Sequence, residues 1–225
     1  SGKMGYAVAQ AARDRGARVT LVTAPTSLPD PASMEVRHVT TVAEMREAVL
    51  SACLGADALI MAAAVSDYRP AQVASQKIKK NQDSEGLVLH LAKNADFFLE
   101  VPEGVLRVGF AAESEDLLAN AGSKLVDKGL HLIAANDITS EDGGFGSDNN
   151  KVTLLDREGG VEELPAMAKY DVANRILDRV AKLVDAGDVV PTTRHVIDGL
   201  NAENLKRAHT MIETASTIGK IVVTV

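Results

Sequence analysis

Apolar positions along the chain switch repeatedly between a three-to-four spacing and short unbroken runs, the signature of helices alternating with strands. In KMGYAVAQAARDR (3–15), Met4, Ala7, Val8, Ala11 and Ala12 share one helical face, and Gly16 ends the helix. RVTLVT (18–23) is a short run rich in β-branched side chains and predicts a strand. A Pro-rich loop follows, then a strand at VRHV (36–39) and a helix over 42–53, capped by Thr40 or Thr41 with Glu44 one turn in. ADALIMAAA (56–64) is too continuously apolar for a half-exposed strand and predicts a buried one. LVLHLA (87–92), VLRVGF (105–110) and LHLIAAND (130–137) predict further strands, with a helix over 114–128 between the last two. Residues 138–150 form a polar, Gly-rich loop. KVTLLD (151–156) and VEEL (161–164) predict a hairpin across 157–160, and 170–184 an amphipathic helix.

Strands separated by helices predict an α/β fold, a Rossmann-like and mostly parallel sheet with helices on both faces. The chain opens directly at a helix start, where such a sheet places a first strand and a glycine-rich turn, so the first strand is expected to be missing. The composition shifts after residue 186. This divides the chain into a nucleotide-binding domain (1–186) and a linker with a small β-α-β tail of different origin (187–225). KIVVTV (220–225) is expected to dock on the main domain, in the vacant strand position. A helix over 201–215 would then bury Leu205, Ala208, Met211 and Ile212 against one face.

Composition narrows the function classes. No apolar run approaches the roughly 20 residues that span a bilayer, so no membrane partner is expected. The single cysteine, Cys53, cannot pair within the chain; it fits a reducing, cytoplasmic setting and reads as a buried structural thiol. A net charge of −7 and 3% aromatics argue against a nucleic-acid partner.

The candidate chemistry lies in loops that follow predicted strands, where open α/β sheets bind ligands. SGKMG puts Gly2 and Lys3 at a helix N-terminus, whose N–H groups and dipole favour an anion. In AAAVSDYRP (62–70), small residues permit close approach, and Asp67 can hold a ribose hydroxyl or a Mg²⁺-bound water, or serve only as a turn residue. KIKK (77–80) supplies the cations a triphosphate needs, or is a solvated charge run. In LAKNA (91–95), Asn94 caps the helix of ADFFLE, or Lys93 and the helix start meet phosphate. Phe110 can stack on a base or fill the core, while Ala111 and Ala112 admit a ligand to the backbone. Lys124 and Lys128 share a helical face. Together these loops describe a nucleotide cleft.

The blocks SGKMGYAVAQAARDRGARVTLVTAP, AAAVSDYRP…KIKK, LAKNADFF, VGFAAES and ANDI…FGSDNNKVTLL resemble the synthetase half of the bacterial bifunctional phosphopantothenoylcysteine decarboxylase/synthetase, from Ser1 to about residue 186. The resemblance implies a coenzyme A biosynthesis ligase that joins 4'-phosphopantothenate to L-cysteine with CTP and Mg²⁺, through an acyl-cytidylate, and a homodimer. It implies that Lys77 serves the activation step. Met61, Ala62, Ala63, Asp67, Ala92, Lys93, Asn94, Ala95, Phe110, Lys124 and Lys128 would line the nucleotide site. Gly2, Lys3, Ala111 and Ala112 would hold the acid substrate; no residue is assigned as a metal ligand. The family carries an Asn-bearing loop just before SGKMG that is absent here. An inactive nucleotide-binding fragment is therefore one alternative. A nicotinamide-dependent oxidoreductase is another, although G-x-G-x-x-G and an acid after Thr23 are both lacking. The tail resembles the C-terminus of zinc-type quinone/alcohol oxidoreductases but carries no nicotinamide or zinc site.

Overall fold

The computed structural model describes residues 1–78, 87–113, 116–137, 147–185 and 220–224. Its centre is an eight-stranded sheet. In chain order the elements are α1 (Lys3–Asp14), β1 (Arg18–Thr23), β2 (Glu35–His38), α2 (Val42–Cys53), β3 (Ala58–Met61), β4 (Tyr68–Pro70), β5 (Leu91–Lys93), a 3₁₀ turn (Phe97–Glu100), β6 (Leu106–Glu113), α3 (Leu117–Asp127), β7 (Leu132–Asp137), β8 (Asn149–Asn150), β9 (Val152–Asp156), β10 (Val161–Glu163), β11 (Met167–Ala168), α4 (Lys169–Asp185) and β12 (Lys220–Thr224). The main sheet runs β10-β9-β7-β6-β3-β12-β1-β2. From β2 across to β7 every pairing is parallel, and in this sheet only β9 is reversed, antiparallel to both β7 and β10.

The period-two alternation of each strand builds a separate core on each face. Val19 and Leu21 of β1, Ala58 and Ile60 of β3, and Val223 of β12 pack with the buried faces of α1 and α4. Val22, Leu59 and Met61 point the other way, to Val49, Ala52 and Cys53 of α2 and Ala121 and Leu125 of α3. The expected α2 start is a capping box: Thr41 Oγ1 accepts from the Glu44 amide, and the Glu44 carboxylate accepts from the Thr41 amide. Arg15 and Asp178 join α1 to α4 at 2.7 Å.

The vacant strand position is filled. β12 lies between β1 and β3, parallel to both, with Val223 paired to Leu21 on one side and to Ile60 on the other. The tail strand therefore stands where a doubly wound sheet puts its first strand. The expected helix over 201–215 lies outside the described residues.

Three expectations need correction. LVLHLA does not enter the main sheet: only Leu91–Lys93 is strand, paired with β4 in a separate two-stranded ribbon, and Leu87, Val88, Leu89 and Leu91 are exposed. An apolar run reports a preference for burial but does not name what buries it. Asn94 caps no helix. The short 3₁₀ turn is capped by Asp96, whose carboxylate accepts from the Phe98 amide. Finally, ADALIMAAA is strand only over Ala58–Met61, because the chain leaves the sheet at Ala62, whose amide donates to the Thr224 carbonyl at the end of β12.

Candidate functional site

The small residues after Met61 act through what they leave open. Ala62–Ser66 runs out over the C-terminal ends of the parallel strands, and two cavities meet along it. The first, of about 390 Å³, is lined by Met61, Ala63–Asp67, Lys93–Phe98, Gly109, Phe110, Lys124, Lys128, Leu130 and Ile133. The second, of about 260 Å³, is lined by Ser1, Gly2, Met4, Gly5, Ala62–Ala64, Phe110–Ala112, Asn136, Asn150 and Lys169. Ala63, Ala64 and Phe110 belong to both, so one thin wall of two alanines and a ring separates the spaces.

The first cavity collects most of the residues assigned to the nucleotide. Met61, Ala63, Asp67, Lys93, Asn94, Ala95, Phe110, Lys124 and Lys128 all line it. Lys124, in the last turn of α3, and Lys128, its C-cap, reach the same wall, and the Lys128 ammonium lies 3.0 Å from an Asp96 carboxylate oxygen. Asn94 is a cross-tie. Its Nδ2 donates to the Ser66 carbonyl at 2.8 Å, its Oδ1 accepts from the Arg69 guanidinium at 2.8 Å, and its amide donates to the Asp67 carbonyl at 2.8 Å. The loops after β3 and β5 are thereby locked together with Asp67 and Lys93 at the rim. Gly109 forms the floor, since a Cβ there would lie 2.7 Å from Leu130 Cδ1.

The second cavity gathers the residues assigned to the acid. Gly2, in the left-handed region at φ 70°, turns the chain into α1 and supplies no side-chain cap, so the first turn presents its backbone N–H groups to the space. Ala111 and Ala112 form the opposite wall at the end of β6.

Ala62, assigned to the nucleotide, lines the second cavity instead, and three assigned residues line neither. Lys77 is exposed and lines neither cavity, and Lys79 and Lys80 of the same run lie outside the described residues. Ala92 pairs with Arg69 in the ribbon behind the rim. Lys3 turns sideways, and its ammonium meets Asp148 at 2.7 Å; this contact, a hydrogen bond before a charge effect, holds the Asp148 carboxyl below its ordinary range.

Sequence reasoning missed Lys169, Asn150 and Asn136. Lys169 is buried at the head of α4 and donates to the carbonyls of Ser147 and Asn149, the latter at 3.0 Å. Burial, and then the nearby Lys3 charge, push its pKa down. A lysine placed just before an amphipathic helix gives no signal of this kind. The clue lay in FGSDNNKV, whose polar run precedes an apolar strand. Among the described residues no group of three or more His, Cys, Asp and Glu side chains is placed to hold a metal ion, and no helix is long and apolar enough to cross a membrane.

Comparison with known proteins agrees with this architecture. The sequence is 44% identical over 187 residues to the coenzyme A biosynthesis bifunctional protein CoaBC of Bacillus subtilis, covering 81% of this chain and 46% of that protein. It is 40% identical over 193 residues to the protein of the same name from Escherichia coli K12, covering 82% of this chain and 47% of that one. The chain thus spans about half the length of the curated relatives it matches. Its structure is similar to the crystal structure of the C-terminal domain of coenzyme A biosynthesis bifunctional protein CoaBC, with a TM-score of 0.69, 34% identity, and coverage of 83% of this chain and 84% of that one. The fold is shared with a Cab2 mutant in complex with phosphopantothenate-cysteine, at a TM-score of 0.55 and 20% identity, over 69% of this chain and 56% of that one. The sequence model of the DNA/pantothenate metabolism flavoprotein C-terminal domain matches residues 1–184, and the chain belongs to that family.

Proposed function

We propose that the chain is a ligase of coenzyme A biosynthesis that joins 4'-phosphopantothenate to L-cysteine at the expense of CTP. The observation that carries this reading is the pair of adjoining cavities. One is rimmed by lysines and an aromatic ring; the other opens on a helix N-terminus; they share the wall Ala63–Ala64 and Phe110. A condensation of a nucleotide with an acid requires two such spaces in contact.

In this reading the base and ribose occupy the first cavity, with Phe110 against the base and Asp67 at a ribose hydroxyl. Lys93, Lys124 and Lys128 offset the charge of the phosphates. The phosphate of phosphopantothenate sits at the first turn of α1, where backbone N–H groups and the helix dipole favour an anion. Its carboxylate then reaches the shared wall. A carboxylate oxygen attacks the α-phosphorus, pyrophosphate leaves, and the cysteine amine attacks the acyl carbon and releases CMP. Mg²⁺ would enter with the nucleotide phosphates and would supply charge neutralisation there.

Isothermal titration with CTP, ATP and NAD in turn, followed by pyrophosphate release with phosphopantothenate in the presence and absence of cysteine, tests this. CTP binding with acid-dependent pyrophosphate release is expected; binding of NAD alone, or of no nucleotide, refutes it. The position of Lys77, exposed and outside both cavities, favours a second reading, a nucleotide-binding domain without ligation. CTP binding with no pyrophosphate release selects that one.

A further inference from the structure

Resting on that reading of the second cavity, the structure points to a specificity residue: we propose that Asn150 recognises the acid substrate by accepting a hydrogen bond from its uncharged middle, a hydroxyl or an amide N–H, while the helix start of α1 holds its anionic end. Asn150 is 4% exposed and lines the cavity. Its Oδ1 is buried and has no hydrogen-bond partner among the described residues. A buried carboxamide oxygen left unmet is costly, and in a native structure it marks a place where something else supplies the donor.

The surroundings say where that donor arrives. Asn150 Nδ2 lies 3.8 Å from the Met4 sulfur, a weak contact, in the first turn of α1. The unmet oxygen is the other branch of the same amide, so it stands beside a helix N-terminus, which favours an anion. The segment is held rather than loose. Asn150 pairs with Met167 between β8 and β11, and Lys169 fixes the preceding turn through the Ser147 and Asn149 carbonyls. Lys169 is thus a positioning residue for Asn150, and Asn150 is the contact. Ser1, Asn136 and Lys169 also line the cavity, but most of its wall is small or apolar (Ala62, Ala111, Ala112), and the Asn150 carboxamide adds a buried acceptor with no partner among the described residues. A phosphate ester of a chain bearing a hydroxyl and an amide matches this arrangement; a bare phosphate or a simple phosphorylated alkane does not.

The test is binding of three acids by isothermal titration: phosphopantothenate, its deoxy analogue without the secondary hydroxyl, and its N-methylated amide analogue. One analogue is expected to bind the unaltered chain about tenfold more weakly than phosphopantothenate, the cost of one buried hydrogen bond. Asn150→Ala is expected to weaken phosphopantothenate about tenfold and to leave that same analogue unchanged, with CTP binding unaltered. Equal weakening of all three acids by Asn150→Ala would mean a structural role and overturns the proposal, as does an unaltered affinity for phosphopantothenate. If Asn150→Ala does not fold, the unaltered chain decides, and equal affinity for the three acids overturns it. A chain that binds CTP but none of the acids overturns this inference alone; one that binds neither overturns the ligase reading as well.

Discussion

Removing residues 187–225 deletes β12 and opens a slot in the middle of the sheet. β12 makes five register pairs with β1 and four with β3, and a parallel ladder carries about one hydrogen bond per pair. The centre of the slot is flanked by Leu21 and Val22 on one side and Leu59 and Ile60 on the other, all fully buried. Roughly four of the lost bonds lie there, beyond easy reach of water, and each group left unmet costs ~1–3 kcal/mol. The loss of about 4–12 kcal/mol is comparable with the whole stability of a domain, about 5–15 kcal/mol. The shortened chain is therefore expected to be unfolded or molten at 25 °C. A graded variant guards against the trivial result that truncation merely aggregates. Val223 is fully buried in the core beneath α1, and Val223→Ala should cost ~2 kcal/mol by removing two methyl groups. Urea unfolding followed by circular dichroism reads both, since the chain has no tryptophan. An unchanged midpoint and slope after truncation, together with a shift below about 0.5 kcal/mol for Val223→Ala, would show that β12 does not complete the sheet.

Asn94→Ala should raise the CTP dissociation constant severalfold with little change in melting temperature, because it unties the loops bearing Asp67 and Lys93 without touching the core; titration and thermal denaturation together check this. Gly109→Ala forces the Leu130 methyl aside into the nucleotide cavity. About 1–3 kcal/mol of stability should be lost to overpacking, and CTP affinity should fall; unaltered binding would mean that the base does not reach this floor. Tyr170 donates to Asp14 at 2.8 Å across α1 and α4; this bond is the main cause holding the Asp14 carboxyl below its ordinary range, and it raises the Tyr170 phenol. The contribution is therefore present between the ordinary carboxylate and phenol values. It fades as pH falls through the lowered Asp14 value and as pH rises through the raised Tyr170 value, so Tyr170→Phe should differ from the unaltered chain near neutrality and converge with it at both extremes of a stability–pH profile.

The residues that were easiest to read share one property: their partners follow from chain order. A continuous apolar run such as ALIM needs both faces covered, which makes it an interior strand of a parallel sheet, and the loop after it then has to lie at the strand ends where ligands bind. Asp67 fell to that reasoning, and it converges on one cavity with Phe110, Lys124 and Lys128, whose place at the site only the family resemblance implied. Lys77 did not, because charge density along the chain carries no information about which way a segment leaves the sheet. LVLHLA failed for a related reason, since its hydrophobicity is real but Leu87, Val88 and Leu89 meet no cover within the described chain. Asn150 and Lys169 were invisible because they enter from outside the repeating strand–helix order: β8 and β11 form a small side ribbon, and Lys169 ties β8 and the turn before it to the head of α4 through two carbonyls. The slot filled by β12 joins these cases. In the order β1-β12-β3 the chain proceeds outward in both directions from the central strand, from β1 to β2 on one side and from β3 to β6 and β7 on the other. Loops leaving on opposite sides of that strand part at its C-terminal end, and the gap they leave is where α1, Ala62–Ala64 and the end of β6 meet. Paired in parallel to both β1 and β3, β12 holds the two halves of the sheet in register beside that gap.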